Sequence, residues 1–387
     1  MIYFDNCSTS YPKAPGVPKA VAEILERGSF NINRGGYASA YEMSGLVLDT
    51  REKVAELFDA SSGREVVFTG SVTQSINIAL KGLLHPGDYV VTTQMEHNGV
   101  IRSLTQLQAL GVHVDVAHCD KDGKLDLADM ESKITSRTKL VVMTHASNVC
   151  GTILPIREVG EICRKHGALL LVDSAQTAGV IPISMSCDNI DILAFTAHKG
   201  LLSAQGLGGL VLSQQIAEKM TPLIAGGTGS HSHIANMPME LPDRLEAGTL
   251  NLPGIVALSV ALDYIKEIGV DTIYKDEMKL LSRLNEGLSE ISGVRIMGPE
   301  SMLDKCAIAA LDFPTMDNAE VATQLDEEYS IMTRCGLHCA PTAHKAIGTF
   351  PRGVVRCSFG HKNTEAEVDK LLFALRNITK YSNERSK

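Results

Sequence analysis

No apolar run in this chain approaches the ~20 residues that a bilayer-spanning helix needs, so no membrane partner is expected. The opening residues, Met1 to Asn6, lack a basic stretch followed by an apolar core, so no secretory signal is read there and a cytoplasmic location is expected. Positive charge is in short supply. Thirty-six Lys and Arg against 45 Asp and Glu leave a net charge of -9, which argues against a nucleic-acid partner, whose phosphates call for a basic surface. The nine cysteines are odd in number and follow no pairing rhythm. In a reducing compartment most of them read as small buried hydrophobes. Internal repeats, low-complexity tracts and flexible linkers are also missing, so the domains are expected to pack tightly around a cleft.

The chain has 387 residues, 44% hydrophobic and 21% charged, the composition of a soluble globular protein with a large core and about two or three domains. From about residue 48 to 255, apolar runs suited to buried strands alternate with helical spacing. The strand candidates are Val66–Phe68, Tyr89–Thr93, His113–Ala117, Leu140–Thr144, Leu169–Val172, Ile192–Phe195 and Gly209–Leu212. Alternation of this kind predicts an α/β fold with a mainly parallel seven-stranded sheet covered on both faces. Beyond Asn251-Leu-Pro-Gly254 the rhythm changes to an α+β pattern, with strands near 294–297, 307–312, 330–333 and 354–358. The expected division is a large unit over 14–255 and a small α+β unit made of 1–13 and 256–387. Residues 29–37 read as a loop, ordinary or substrate-gating, and Thr364-Glu-Ala-Glu367 reads as a helix capping box.

Polar residues gather where the strands should end, the side of an open α/β sheet where ligands bind. Asp173 and Gln176 follow one strand, and His198 and Lys199 follow the next. A lysine of suppressed pKa can form a Schiff base, and an aspartate can hold a pyridinium nitrogen protonated. These are the two protein groups that pyridoxal 5'-phosphate requires. The plainer alternative makes Asp173 a helix cap and Lys199 a solvated loop residue. Thr69-Gly-Ser-Val-Thr-Gln74 opens a helix after a strand and offers backbone N–H groups to a phosphate, although no Gly-Lys-Ser/Thr follows as in a Walker loop. His97 ends another strand, suited to stacking on a flat ring and moving protons, or simply to capping a helix. Asn148 offers an amide for a ring hydroxyl or a substrate carboxylate, with an Asx turn as the alternative.

His97, Asn148, the Val172-Asp-Ser-Ala-Gln176 run and the His198-Lys199 pair together resemble the class V aminotransferase family of fold-type I pyridoxal-phosphate enzymes. They come in the family's order and near its spacing. The resemblance extends to Glu246-Ala-Gly-Thr-Leu-Asn251 and to the C-terminal Val355-Arg356 and Asn363-Thr364. It implies that Lys199 holds the cofactor, that Asp173, Gln176 and His97 contact its ring, and that Val72, Thr73, Thr196 and His198 lie about its phosphate. It also implies a homodimer in which Thr249 of the partner subunit reaches the phosphate. His-Lys recurs at 344–345 and 361–362, but only Lys199 follows a strand of the parallel sheet.

Within that family, Arg334-Cys-Gly-Leu-His-Cys-Ala340 resembles the catalytic loop of group II cysteine desulfurases and selenocysteine lyases. Cys339 lies near Arg334 and His338, and positive neighbours favour the nucleophilic thiolate. The alternatives for Cys339 are a buried structural cysteine or a metal site with Cys335 and His338, for which no second ligand pair at zinc-like spacing exists, so no metal is expected. Arg356 suits a two-pronged grip on a substrate carboxylate, or a structural ion pair. Cys335 is expected to lie close enough to Cys339 to trap or relay a persulfide. The resemblance implies conversion of L-cysteine to L-alanine, with sulfur carried by Cys339 to an acceptor protein. The alternatives are a selenocysteine lyase acting on L-selenocysteine, an aminotransferase of the same fold, and an inactive sulfur-transfer scaffold.

Overall fold

The computed structural model describes residues 1–28, 30–32 and 35–385, without the side chains beyond 380. Of the segment read as a loop, Ser29, Asn33 and Arg34 therefore lie outside the described residues. The chain opens with strand β1 (Ile2–Tyr3) and helices α1 (Val17–Arg27) and α2 (Ala38–Leu57). Alternation follows: β2 (Val66–Thr69), α3 (Val72–Leu83), β3 (Tyr89–Thr93), α4 (Asn98–Ala109), β4 (His113–Ala117), α5 (Leu127–Lys133), β5 (Thr138–Thr144), α6 (Ile156–His166) and β6 (Leu169–Asp173). Next come β7 (Ile192–Thr196), β8 (Gly208–Leu212), α7 (Gln214–Glu218), α8 (Leu252–Ile268) and α9 (Val270–Leu288). The remainder holds β9 (Arg295–Met297), β10 (Ile308–Asp312), α10 (Asn318–Tyr329), β11 (Ile331–Met332), β12 (Arg334–Gly336), α11 (Pro341–Ala346), β13 (Val354–Ser358) and α12 (Glu365–Arg385).

Seven strands form one sheet in the order β2-β8-β7-β6-β5-β3-β4. All neighbouring pairs are parallel except those made by β8, which runs against both β2 and β7. The mainly parallel sheet expected from the alternation is present, with one reversed strand. β7 and β8 are buried along their whole length, because helices cover both faces, and the one polar side chain they carry is Thr196 at the end of β7. β8 also seats the turn before α3. A Cβ at Gly208 would meet Ser71 C and Phe195 O at 2.7 Å, so the turn can lie against the strand only over glycine.

A second, antiparallel sheet runs β12-β13-β10-β9, and β1 pairs in parallel with β11. Phe4 packs there in one core with Leu281, Leu311, Phe313, Val355 and Leu371. Helix α8 instead buries Ile255, Leu258 and Ile265 in the core of the large sheet, against α1 and α2. The capping box of α12 forms as expected. Thr364 N–H donates to Glu367 Oε2 at 2.9 Å, and Glu367 N–H donates to Thr364 Oγ1 at 3.3 Å. No helix among the described residues is long and apolar enough to cross a membrane.

The structure departs from the sequence reading around the thiol loop. Residues 334–336 are read as loop but form β12 along β13, with Arg334 opposite Arg356 and Cys335 opposite Val355. Side chains alternate across a strand, so Arg334 and Cys335 point to opposite faces. Cys335 packs against the core that holds Val355. Its expected role as a neighbouring thiol for Cys339 is therefore corrected: the sheet stands between it and the face that carries Arg334.

Candidate active site

Each strand end of the large sheet delivers one of the expected residues. β6 ends on Asp173, which is buried; its Oδ1 accepts from Ala175 N–H at 2.9 Å, and Oδ2 has no hydrogen bond among the described residues. Burial raises its pKa, opposed by the Ala175 N–H and the Lys199 charge. Lys199 follows β7 after one turn, and its Nζ likewise makes no hydrogen bond among the described residues. Burial lowers its pKa; Cys7 and Asp173 pull it back up, while Arg356 and Arg334 push it further down. A lysine with suppressed basicity and a free amine is what Schiff-base chemistry demands.

His97 ends the turn after β3 and caps α4, its Nδ1 accepting from Gly99 N–H at 3.0 Å. The proton of the neutral ring therefore sits on Nε2. Burial, with Lys199, Arg334, Arg102 and Arg356, pushes its pKa down to about 4. The ring is thus a flat, uncharged surface near neutral pH. At the start of α3, Ser71 caps with its side chain accepting from Gln74 N–H, while the N–H groups of Val72 and Thr73 are left without acceptors among the described residues. Free N–H groups at the positive end of a twelve-residue helix suit a phosphate. The Thr73 hydroxyl would lie 3.7 Å from a Cβ at Gly99, which ties this turn to the His97 turn.

His198 is anchored to the N-terminal segment. Its Nδ1 lies 3.0 Å from Thr9 Oγ1, and its carbonyl accepts from Ser10 N–H and Lys13 Nζ. Among the described residues Thr196 Oγ1 reaches only Leu207 O, at 3.5 Å. Gln176 Nε2 donates to Cys7 O at 3.3 Å. Thr249 is exposed, in a cleft that it shares with Gly70, Gln74 and Gly206.

Arg356 forms the ion pair foreseen as the alternative to substrate binding. Its Nη2 donates to Asp5 Oδ1 at 2.6 Å and to Ser8 Oγ at 3.0 Å, and its Nη1 to Asn148 O at 2.9 Å. Its Nε is buried with no partner among the described residues, and a buried donor left unmade costs about 1–3 kcal/mol. Cys339 is exposed, 3.9 Å from Arg334 Nη2. Two bonds of 2.7 Å fasten its loop to the large sheet: Asn98 N–H to Cys339 O, and Asn148 Nδ2 to His338 O.

Sequence reasoning missed the N-terminal contribution. Ser8 accepts from both Arg334, at 3.2 Å, and Arg356. Cys7 lines a small pocket with Lys199, Gln176 and Cys306. The only signal in the sequence was the run of small polar residues Asn6-Cys-Ser-Thr-Ser10, without a hint of what it faces.

A free amine, a free buried carboxylate oxygen, a flat neutral imidazole and an unfilled helix N-terminus together fit pyridoxal phosphate. Fold and site thus define a protein of the fold-type I class. The family model for class-V aminotransferases matches residues 2–371, and the chain belongs to that family. It is 34% identical to a probable cysteine desulfurase of Pyrococcus abyssi, over 98% of this chain and 94% of that one. With the cysteine desulfurase of Haloferax volcanii it shares 30% identity, over 97% of this chain and 88% of the other. Among solved structures, the apo cysteine desulfurase from Thermococcus onnurineus NA1 superposes with a TM-score of 0.91 at 33% identity, covering 98% of this chain and 94% of that one.

Proposed function

We propose that the protein is a pyridoxal-phosphate-dependent cysteine desulfurase that converts L-cysteine to L-alanine and passes the sulfur through Cys339 to an acceptor protein. In this reading residues 14–255 hold the cofactor, residues 1–13 and 256–387 carry the thiol, and two copies of the chain assemble as a homodimer. The cofactor, when bound, withdraws electrons from the α-carbon of an attached amino acid and so labilises the bonds around it.

The chain's own residues do the rest. The Lys199 amine would hold the cofactor and, with its suppressed basicity, would move a proton at the substrate α-carbon. Asp173 Oδ2 would accept from the ring N–H, His97 would pack against the ring, and Gln176 would reach the ring hydroxyl. The N–H groups of Val72 and Thr73 would hold the phosphate, helped by Thr196 and His198 and by the partner subunit's Thr249. Arg356 Nε and Asn148 hold the substrate carboxylate. The Cys339 thiolate attacks the substrate sulfur; the new S–S bond forms as the C–S bond breaks, and its electron pair stays on carbon, which takes a proton and leaves as alanine.

The observation that supports this reading is the pair of 2.7 Å bonds by which Asn98 and Asn148, from the turns after β3 and β5, fasten the Cys339 loop at the end of the sheet where β6 stops on Asp173 and Lys199 follows β7. The experiment is turnover of L-cysteine and L-selenocysteine by wild type and Cys339→Ala, with alanine, sulfide and selenide measured. Loss on cysteine alone supports the desulfurase with tolerance of selenium. Equal loss on both leaves a selenium specialisation unsupported, turnover of both at the wild-type rate removes Cys339 from the mechanism, and a keto acid in place of alanine makes the protein an aminotransferase.

A further inference from the structure

The backbone at the thiol is one that side chains resist. His338 has φ 50° and Cys339 φ 56°, two consecutive left-handed residues with neither a glycine. The bonds from Asn98 and Asn148 hold the two carbonyls. The side-chain partner of this turn is a second histidine that the mechanism does not use.

His338 and His344 are both buried, 2% and 0% exposed, with ring centroids 5.6 Å apart and planes 20° from parallel. Hydrogen-bond logic fixes every proton between them. His338 Nε2 lies 3.2 Å from Arg334 O; a carbonyl only accepts, so Nε2 carries the proton. The neutral ring then has a bare Nδ1, which faces His344 Nε2 at 3.4 Å, so that nitrogen must donate. His344 Nδ1 is therefore bare and accepts from Thr349 Oγ1 at 2.6 Å. Burial drives both rings to the neutral form; for His338 the charges of Arg356 and Arg334 add to it. His344 is itself a fixed point, since its carbonyl accepts from Thr349 N–H at 2.9 Å and Phe350 N–H at 3.1 Å.

We propose that Thr349, His344 and His338 form a one-way hydrogen-bond chain that locks the left-handed turn at Cys339 and so fixes where its thiol stands beside Arg334. All three are positioning residues; none touches the thiol. The link to catalysis rests on the desulfurase reading, whereas the chain and the turn it locks do not.

The chain has a distinctive weakness. Without the Thr349 hydroxyl, His344 either keeps a bare buried Nδ1 or moves its proton there and turns a bare Nε2 toward the bare Nδ1 of His338. Thr349→Val preserves shape and removes the donor, and Thr349→Ser restores it. In the cofactor-loaded enzyme, Thr349→Val and His344→Leu are expected to lower kcat for alanine formation roughly five- to tenfold, with KM within about twofold, while Thr349→Ser stays within about twofold of wild type. Amide hydrogen exchange over residues 337–343 should quicken by a similar factor in Thr349→Val and not in Thr349→Ser.

Nitrogen-15 NMR of the wild-type histidines reads the chain directly and requires no variant to fold. Both buried rings should carry their proton on Nε2. A proton on Nδ1 of either ring, or Thr349→Val with wild-type exchange, overturns the proposal. If the tautomers and exchange come out as expected while no alanine forms from cysteine, the chain stands and the desulfurase reading falls.

Discussion

Asn98 gives its backbone N–H to the carbonyl of Cys339 at 2.7 Å. This N–H belongs to the first turn of α4, where a helix has donors that it cannot satisfy itself. The neighbouring Gly99 N–H goes to His97 Nδ1. One helix N-terminus therefore orients both the imidazole of the large sheet and the thiol loop, and couples the position of the sulfur to the position of the ring.

Asn148 is the second fastening, and its loss separates two roles. In Asn148→Leu the His338 carbonyl loses its side-chain donor, a defect of about 1–3 kcal/mol when buried. If Asn148 acts by holding the loop, kcat for alanine formation falls about tenfold and KM is unchanged. If it grips the substrate carboxylate, KM rises instead. Steady-state kinetics over a range of L-cysteine concentrations distinguishes the two.

Glu96, one residue before His97, predicts a stability profile. Its Oε1 accepts from Thr93 Oγ1 at 2.6 Å and Thr144 N–H at 3.0 Å, while Oε2 is buried without a partner among the described residues. Burial pushes its pKa from 4.5 up to about 8, with a smaller push from Asp173. Between those values the native state keeps a proton that the unfolded chain has lost, so its contribution to stability is full below about 4.5 and is lost as pH rises toward 8. Buried His145 acts oppositely, its pKa pushed from 6.5 down to about 4, so stability falls as pH drops through that window. Glu96→Gln should remove the alkaline slope and gain on the order of 2–4 kcal/mol at pH 8, read by urea unfolding at pH 6 and pH 8. An unchanged slope would mean that Glu96 is ionised in the fold.

The strand ends were legible in the sequence because β5, β6 and β7 are covered on both faces and read as unbroken apolar runs that stop at Thr144, Asp173 and Thr196. Short elements held by their partners were not. β12 is three residues, Arg334 to Gly336, and is a strand only because β13 lies beside it. α11 is six residues, too short to show a helical period. The pairing of Arg356 with Asp5 spans 351 positions of sequence, and nothing local to either residue announces it. The histidine chain is hidden for the same reason: His338, His344 and Thr349 share no element.

Arg51 and Glu246 form a buried two-point ion pair, with Arg51 Nη2 to Glu246 Oε2 at 2.6 Å and Nη1 to Oε1 at 2.7 Å, and the guanidinium lies over the Phe68 ring. Glu246 also accepts from Phe68 N–H, and it precedes Thr249 by three residues. Arg51→Met strands a buried carboxylate and is expected to cost about 3–5 kcal/mol, measured by denaturant unfolding. The double variant with Glu246→Gln removes the stranded charge and keeps an acceptor for Phe68, so it should recover a large part of the loss. A double variant no more stable than Arg51→Met would show that packing, not charge, dominates the site.

Cys335 and Cys339 lie four positions apart, yet only one should carry sulfur. Cys335 shares the face of β12 that packs with Val355, and burial raises its pKa, with a smaller push from Asp317. Both effects oppose a thiolate on the cofactor side. Cys335→Ala should therefore leave persulfide formation on Cys339 within about twofold of wild type and cost about 1 kcal/mol in unfolding free energy from lost packing. After a single turnover with L-cysteine, tandem mass spectrometry of the peptide that follows Arg334 should find the added 32 mass units of one sulfur atom on Cys339 alone. Sulfur on Cys335, or a large loss of turnover in Cys335→Ala, would require β12 to leave β13 during the reaction, because no rotamer carries a side chain from one face of a sheet to the other.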